Sequence, residues 1–226
     1  GDPVESDSET FVLTVSPVND APVITEVADP AAINEDASDQ IIALTGIEDG
    51  DADTTQVIMV TSTSNNTDLI PDPSVEYTPG ETTGSLTYTP VSNASGTAII
   101  TVTVADDGGT DNGGVNSTTM TFTVEVIPVN DAPVIAQVAD PSDIDEDASE
   151  QIISLTGIGD GDVDFPQVIT VTATSNNTDL IPDPSVEYTS DFPTGSLAYT
   201  PVENANGEAI ITVTVADDGG TDNGGV

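Results

Sequence analysis

Side chains that offer oxygen ligands recur along this chain in four kinds of cluster, each present twice. Asn19-Asp20 and Asn130-Asp131 lie in identical Val-Asn-Asp-Ala-Pro stretches, and Glu35-Asp36 is answered by Glu146-Asp147. Asp49, Asp51 and Asp53 alternate through a glycine-containing turn, as do Asp160, Asp162 and Asp164. Asp106-Asp107 and Asp217-Asp218 each precede a pair of glycines. Alternate-residue acids in a turn deliver several hard oxygens from one loop, and Ca2+ takes about six to eight of them. These residues are therefore the candidate metal ligands, and calcium the expected cofactor. At Asp106, Asp107 and their second copies a turn-shaping role stands beside the ligand role. The acids scattered elsewhere, such as Glu76, Glu81 and Asp191, read as a solvated, solubilising face.

The balance of charge sharpens the case for a metal. The 226 residues carry 41 acids and no Lys, Arg or His, a formal charge of −41. No side-chain salt bridge is possible within the chain, and carboxylates about 4 Å apart repel by roughly 1 kcal/mol even in bulk water. Positive charge has to come from outside, from divalent cations or a salty medium. Binding to nucleic acid or to an anionic membrane face is disfavoured, and no membrane insertion is expected, because both partners need the basic residues this chain lacks. With no Cys there is neither a disulfide nor redox chemistry. No apolar run approaches the ~20 residues that span a bilayer. The first residue is not Met and no signal-peptide pattern follows it, so a mature or internal segment of something longer is expected. Catalysis is not expected: Trp, His and Cys are missing, and each acid pair occurs twice at equivalent places, as a structural repeat requires.

The elements that would position these clusters follow from the repeat. Val18-Asn-Asp-Ala-Pro-Val-Ile24 returns at Val129–Ile135, an offset of 111 residues that also carries Glu35 to Glu146, Asp51 to Asp162, Tyr77 to Tyr188 and Asp106 to Asp217 without a gap. That period is a whole domain rather than a solenoid turn of about 20–50 residues. Strands are expected at Val23–Val27, Gln40–Ile47, Gln56–Ser64, Val75–Thr78, Gly84–Thr89, Ala98–Ala105 and Thr118–Ile127. In the last, Met120, Phe122, Val124 and Val126 alternate with Thr121, Thr123 and Glu125, a period of two with one dry face. Asn112-Gly-Gly and Asn223-Gly-Gly supply hairpin-type turns. The fold class is all-β: tandem Greek-key β-sandwiches of immunoglobulin or cadherin type with about seven strands each. Residues 1–17 are expected to be the last strand of a preceding repeat, 18–128 one sandwich, and 129–226 a second that lacks its last strand. Two prolines bracket each Asn-Asp pair, Pro17 and Pro22 in one joint and Pro128 and Pro133 in the other, which makes a short stiff connection.

Taken together, these motifs resemble the cadherin repeat in the divergent form found in very large bacterial surface adhesins. Val-Asn-Asp-Ala-Pro is similar to the cadherin linker, Asp51-Ala-Asp53 to its DxD, Glu35 to its early-domain Glu, and Val104-Ala-Asp-Asp-Gly to its late Ala-x-Asp-x-Gly. A recognisable Leu-Asp-Arg-Glu is absent, which leaves the number of ions per joint open. The resemblance implies calcium bridging one domain, the linker and the next, with Glu35, Asn130, Asp131, Asp162 and Asp164 around the central joint. An EF-hand is excluded, since its glycine, its distal Glu and its helices are all missing. The expected role is a calcium-rigidified repeat of an extracellular adhesin stalk or surface fibre, secreted or at a bacterial cell surface. Its partners would be neighbouring repeats or like subunits. Two alternatives remain: a filament subunit that polymerises by inserting its N-terminal strand in a neighbour, and a module binding a surface glycan or protein. For the last, Tyr77, Tyr88, Tyr188 and Tyr199 are the available aromatics, all in strand-like runs.

Overall fold

Strands of β-branched residues alternating with threonine bury one face and wet the other, so they stack in pairs of sheets. The computed structural model describes residues 1, 4, 6–162 and 166–221. Twelve strands lie among them: β1 (Ile33–Asn34), β2 (Gln40–Thr45), β3 (Met59–Ser64), β4 (Ser74–Tyr77), β5 (Thr83–Tyr88), β6 (Gly96–Ala105), β7 (Ser117–Ile127), β8 (Gln151–Thr156), β9 (Thr170–Ser175), β10 (Ser185–Glu187), β11 (Thr194–Tyr199) and β12 (Ile211–Ala216). The described residues hold no α-helix, only a single 3-10 turn at Asp111–Gly113.

The first sandwich pairs a sheet of order β1-β7-β6-β3 with one of order β2-β5-β4. Between them lies a core of Leu44, Ile47, Ile70, Leu86, Ile100, Val102, Val104, Phe122 and Val124, all buried. The β6–β7 hairpin is its longest ladder, running from Gly96↔Val126 to Ala105↔Ser117, and β1 adds to the far edge of β7 in parallel. Its turn residues Asn112 and Gly113 both have positive φ, 56° and 90°, which suits an Asn-Gly turn. The second copy of that turn, at Asn223, lies outside the described residues.

The second sandwich repeats five of these strands, in sheets of order β10-β11-β8 and β12-β9 around Leu155, Ile158, Ile169, Val171 and Leu197. Counterparts of β1 and β7 are absent among the described residues. Residues 6–16 form no strand and pair with nothing that is described. The expected strand at Val23–Val27 shrinks to a bridge, Val23↔Glu48, and one further bond from Thr25 N to Thr45 O at 2.9 Å. Between those two contacts the register slips by one residue at Gly46, whose φ is 65°: a bulge cuts the strand short.

Candidate functional site

With no basic side chain in the chain, carboxylates have to find N–H donors, and they find them in the loops at one end of each sandwich. In the first, Asp49 Oδ2 accepts from Gln56 N at 3.0 Å, Asp51 Oδ1 from Asp53 N at 3.0 Å, and Asp51 Oδ2 from Gln56 Nε2 at 2.9 Å. Asp107 Oδ1 accepts from Val57 N at 2.8 Å, and Asp106 Oδ1 from Gly108 N at 3.0 Å. Asn19 closes the group: its Nδ2 donates to Asp106 Oδ1 at 3.0 Å and to the carbonyls of Gly109 and Val115, while its Oδ1 accepts from Gln56 Nε2. A Cβ on Gly108 would overlap the Asn19 side chain, so only glycine admits this approach. Asp53 and Asp20 stay exposed.

The same arrangement recurs in the second sandwich. Asp160 Oδ2 accepts from Gln167 N at 3.2 Å, Asp162 Oδ2 from Gln167 Nε2 at 2.8 Å, Asp218 Oδ1 from Val168 N at 2.8 Å, and Asp217 Oδ1 from Gly219 N at 3.0 Å. Asn130 Nδ2 reaches Asp217 Oδ1 at 3.2 Å. Asp164 lies outside the described residues.

At the joint, three consecutive residues are held in alternate directions. Val129 N donates to Glu35 Oε1 at 2.8 Å, and Asn93 Nδ2 donates to Asp131 Oδ2; both partners belong to the first sandwich. Asn130 between them is tied to Asp217 of the second. Glu35 is fully buried, carried there by β1, whose Asn34 pairs with Ile127 just before the linker. Asp36 is exposed. In the second sandwich Glu146 and Asp147 are both exposed, and Asp147 Oδ1 accepts from Asn204 N at 3.2 Å. Two residue types in these sites were not singled out from the sequence: Gln56 with Gln167, and Asn93. Their signal was there, since Gln-Val-Ile follows both DxD loops and Asn93-Ala returns as Asn204-Ala at the same offset.

The domain family is legible at this point. A family described as bacterial Ig domain matches residues 19–124 and again 130–226. The chain belongs to that bacterial Ig-domain family. No curated protein matches it. Among solved structures it is similar to the extracellular cadherin domains 1–4 of protocadherin gamma B7, at 13% identity, over 88% of this chain and 50% of that one, with a TM-score of 0.44. It is also similar to the titin domains Z1Z2 in complex with telethonin, at 12% identity over 89% and 96% with a TM-score of 0.35. Domains 5–6 of the S-layer protein SbsC match at 20% identity over 87% and 96%, with a TM-score of 0.28.

For a bacterial Ig domain this donor set suits a hard cation in chemistry and only partly in arrangement. Every candidate ligand is an oxygen, and three buried oxygens, Asp106 Oδ2, Gln56 Oε1 and Gln167 Oε1, have no hydrogen-bond partner. Among the described residues, however, no three carboxylates converge in a group that could hold a metal. An ion here would have to draw on amide and backbone oxygens as well. A cleft of about 520 Å³, open to solvent, is lined by Val186, Glu187, Tyr188, Thr189, Phe192 and Thr194. Burial, then the Asp191 and Asp160 carboxylates, push the Tyr188 hydroxyl above its ordinary range.

Proposed function

We propose that this chain is a spacer from an extracellular bacterial fibre or adhesin stalk, and that bound calcium stiffens the joint between its two sandwiches. The observation that supports it most directly is the alternate tethering of Val129, Asn130 and Asp131 to opposite sandwiches. A linker fixed on both sides transmits orientation, which a stalk needs and a flexible tether does not supply. An ion at the central joint would have to draw Glu35, Asp131, Asp162, Asp164 and Asp217 together around the Asn130 amide, a convergence the described carboxylates do not have on their own, and one at the preceding joint would use Asn19, Asp51 and Asp106. The chemistry supplied is neutralisation: carboxylates that otherwise repel share one divalent cation. At a hundred times its dissociation constant, one such ion stabilises the folded state by about 2.7 kcal/mol.

Small-angle scattering and thermal unfolding, each with calcium and with chelator, test this reading. Calcium is expected to narrow the distribution of overall dimensions and raise the melting temperature. If neither changes, calcium has no part in the joint, and the stalk would rest on the hydrogen-bonded linker alone.

A further inference from the structure

We propose that the cleft along β10 binds an alkylammonium, the group in which a lysine side chain ends, with Phe192, Tyr188 and Val186 against its stem and Glu187 and Asp191 balancing its charge. The cleft lies where the two repeats differ. Residues 77–84 read Tyr-Thr-Pro-Gly-Glu-Thr-Thr-Gly and residues 188–195 read Tyr-Thr-Ser-Asp-Phe-Pro-Thr-Gly, so the ends are kept and the middle is exchanged. Closing the sheet does not ask for the exchange, because β4 pairs with β5 as β10 pairs with β11.

The new turn costs the fold two things and gains an exposed aromatic. Gly80 has φ 92°, and at its place Asp191 holds φ 72°, a left-handed backbone that glycine takes freely and an acid does not. Tyr77 Oη donates to Glu81 O at 3.0 Å, whereas Tyr188 Oη is buried with no hydrogen-bond partner among the described residues. Phe192 replaces Glu81 and is 59% exposed. The turn that carries it is nonetheless fixed: Phe192 N donates to Thr189 O at 3.3 Å, and Ile169 N donates to Ser190 Oγ at 3.0 Å. Strain and an unpaired polar group, held in place beside an exposed aromatic in a cleft, are the marks of a site kept for a ligand.

Charge decides what kind of ligand. Glu187 lines the cleft, and after burial it is the Asp191 and Asp160 carboxylates that raise the Tyr188 hydroxyl, so their field reaches the aromatic wall. No Lys, Arg or His anywhere in the chain offsets it. An anion is repelled here, and a neutral ligand leaves the carboxylates uncompensated. An ammonium is drawn in by them and by the ring faces, while its methylenes cover the apolar wall. The volume of about 520 Å³ holds a stem of about four carbons with room to spare. Two sources present this chemistry, a lysine of a partner polypeptide and a free alkylamine. Neither touches the joint, so the proposal does not depend on the calcium reading.

The test titrates a capped peptide, acetyl-Gly-Lys-Gly-amide, into the whole chain and follows backbone amide shifts by NMR. It is run in chelator and about 0.15 M salt, where a Debye length near 8 Å limits diffuse attraction to the acidic surface. Saturable shifts are expected at residues 186–194 and none at their counterparts 75–83, which serve as the internal control. The same peptide with its lysine acetylated is expected to give no shifts. Phe192→Ala should weaken binding about two- to fivefold. Asp191→Gly should weaken it too while the second sandwich melts no lower, since glycine relieves the left-handed backbone. Butylamine separates the two sources: binding as tight as the peptide's assigns a free amine, weaker binding assigns a polypeptide, and both uphold the ammonium site. The proposal is overturned by shifts that do not saturate, by equal shifts in both sandwiches, or by equal binding of the acetylated peptide. Binding unchanged by the two substitutions, or a lower melting temperature for Asp191→Gly, also overturns it, because the turn would then serve the fold alone.

Discussion

At the scale of single residues, the hydrogen-bonded acids of this chain serve mainly as acceptors for backbone amides, a role that needs no cation. Besides the loop clusters, Asp72 and Asp183 take Ser64 N and Ser175 N at 2.7 and 2.8 Å, and Asp29 takes Thr123 N at 2.6 Å. Glu35 is the extreme case, and replacing it by Ala would leave Val129 N without this acceptor. The expected cost is about 1–3 kcal/mol, read as a lower melting temperature together with a wider spread of dimensions in scattering. Gln56 gives a sharper test of what the DxD loop wants. Gln56→Glu puts a third carboxylate against Asp51 where an amide donated, so the first sandwich should lose about 1–4 kcal/mol in chelator. Calcium should return most of that loss if the loop can hold an ion; equal melting temperatures with and without calcium would show that it cannot. The presence of these clusters and their place at the edges of the sandwiches were legible in the sequence. Their internal closure was not, because Gln56 and Asn93 are neutral and carry no charge pattern to draw attention. Tyr88 supplies a pH test. Burial raises its hydroxyl above the ordinary value, so the folded state keeps a proton that the unfolded chain gives up near pH ~10. Stability is therefore full below that pH and falls as pH rises from it through the folded value. In alkaline melts Tyr88→Phe should flatten this slope.

At the scale of elements, short β-branched runs separated by turn chemistry, with clear period-two alternation in the last two, were enough to locate six of the seven strands of the first sandwich. The exceptions mark where alternation stops being informative. Val23–Val27 alternates well enough, yet Val23 is 49% exposed and a bulge at Gly46 ends its pairing. β1 is only two residues long, too short for any period to register. The second sandwich shows that strand length depends on partners as much as on local sequence. Ala209 and Ile210 repeat Ala98 and Ile99 but lie outside β12. This difference predicts unequal costs for the same substitution. Ile100 is fully buried, and Ile100→Ala should destabilise the first sandwich by about 2–5 kcal/mol through transfer and cavity terms. Ile211 retains partial contact with water, so Ile211→Ala should cost the second only about 1–2 kcal/mol. Separate melting transitions, assigned by hydrogen exchange at β6 and β12, would measure both. Equal losses would mean that the second core is as well covered as the first.

At the scale of the whole molecule, a charge of −41 with no compensating side chain makes stability a property of the solution as much as of the chain. Two effects of cations have to be separated. Screening is indifferent to identity: raising monovalent salt from about 0.1 to 1 M shortens the Debye length from about 10 to 3 Å and should lift both melting transitions. Binding depends on coordination, and here calcium and magnesium differ. Calcium accepts a flexible shell of oxygens, including the carbonyls that Asn130 and Gln167 present beside Asp162 and Asp217. Magnesium demands a near-octahedral shell and gives up its waters reluctantly. At matched ionic strength, calcium is therefore expected to raise the melting temperature and saturate in the millimolar range. Magnesium should do no more than monovalent salt at the same strength. The contrast should be largest in the scattering profile, because a joint ion fixes the angle between sandwiches while screening only weakens their repulsion. If calcium, magnesium and sodium fall on one curve against ionic strength, the acids act as a diffuse solvated surface, and the joint owes its stiffness to Glu35, Asn93 and Asn130 alone.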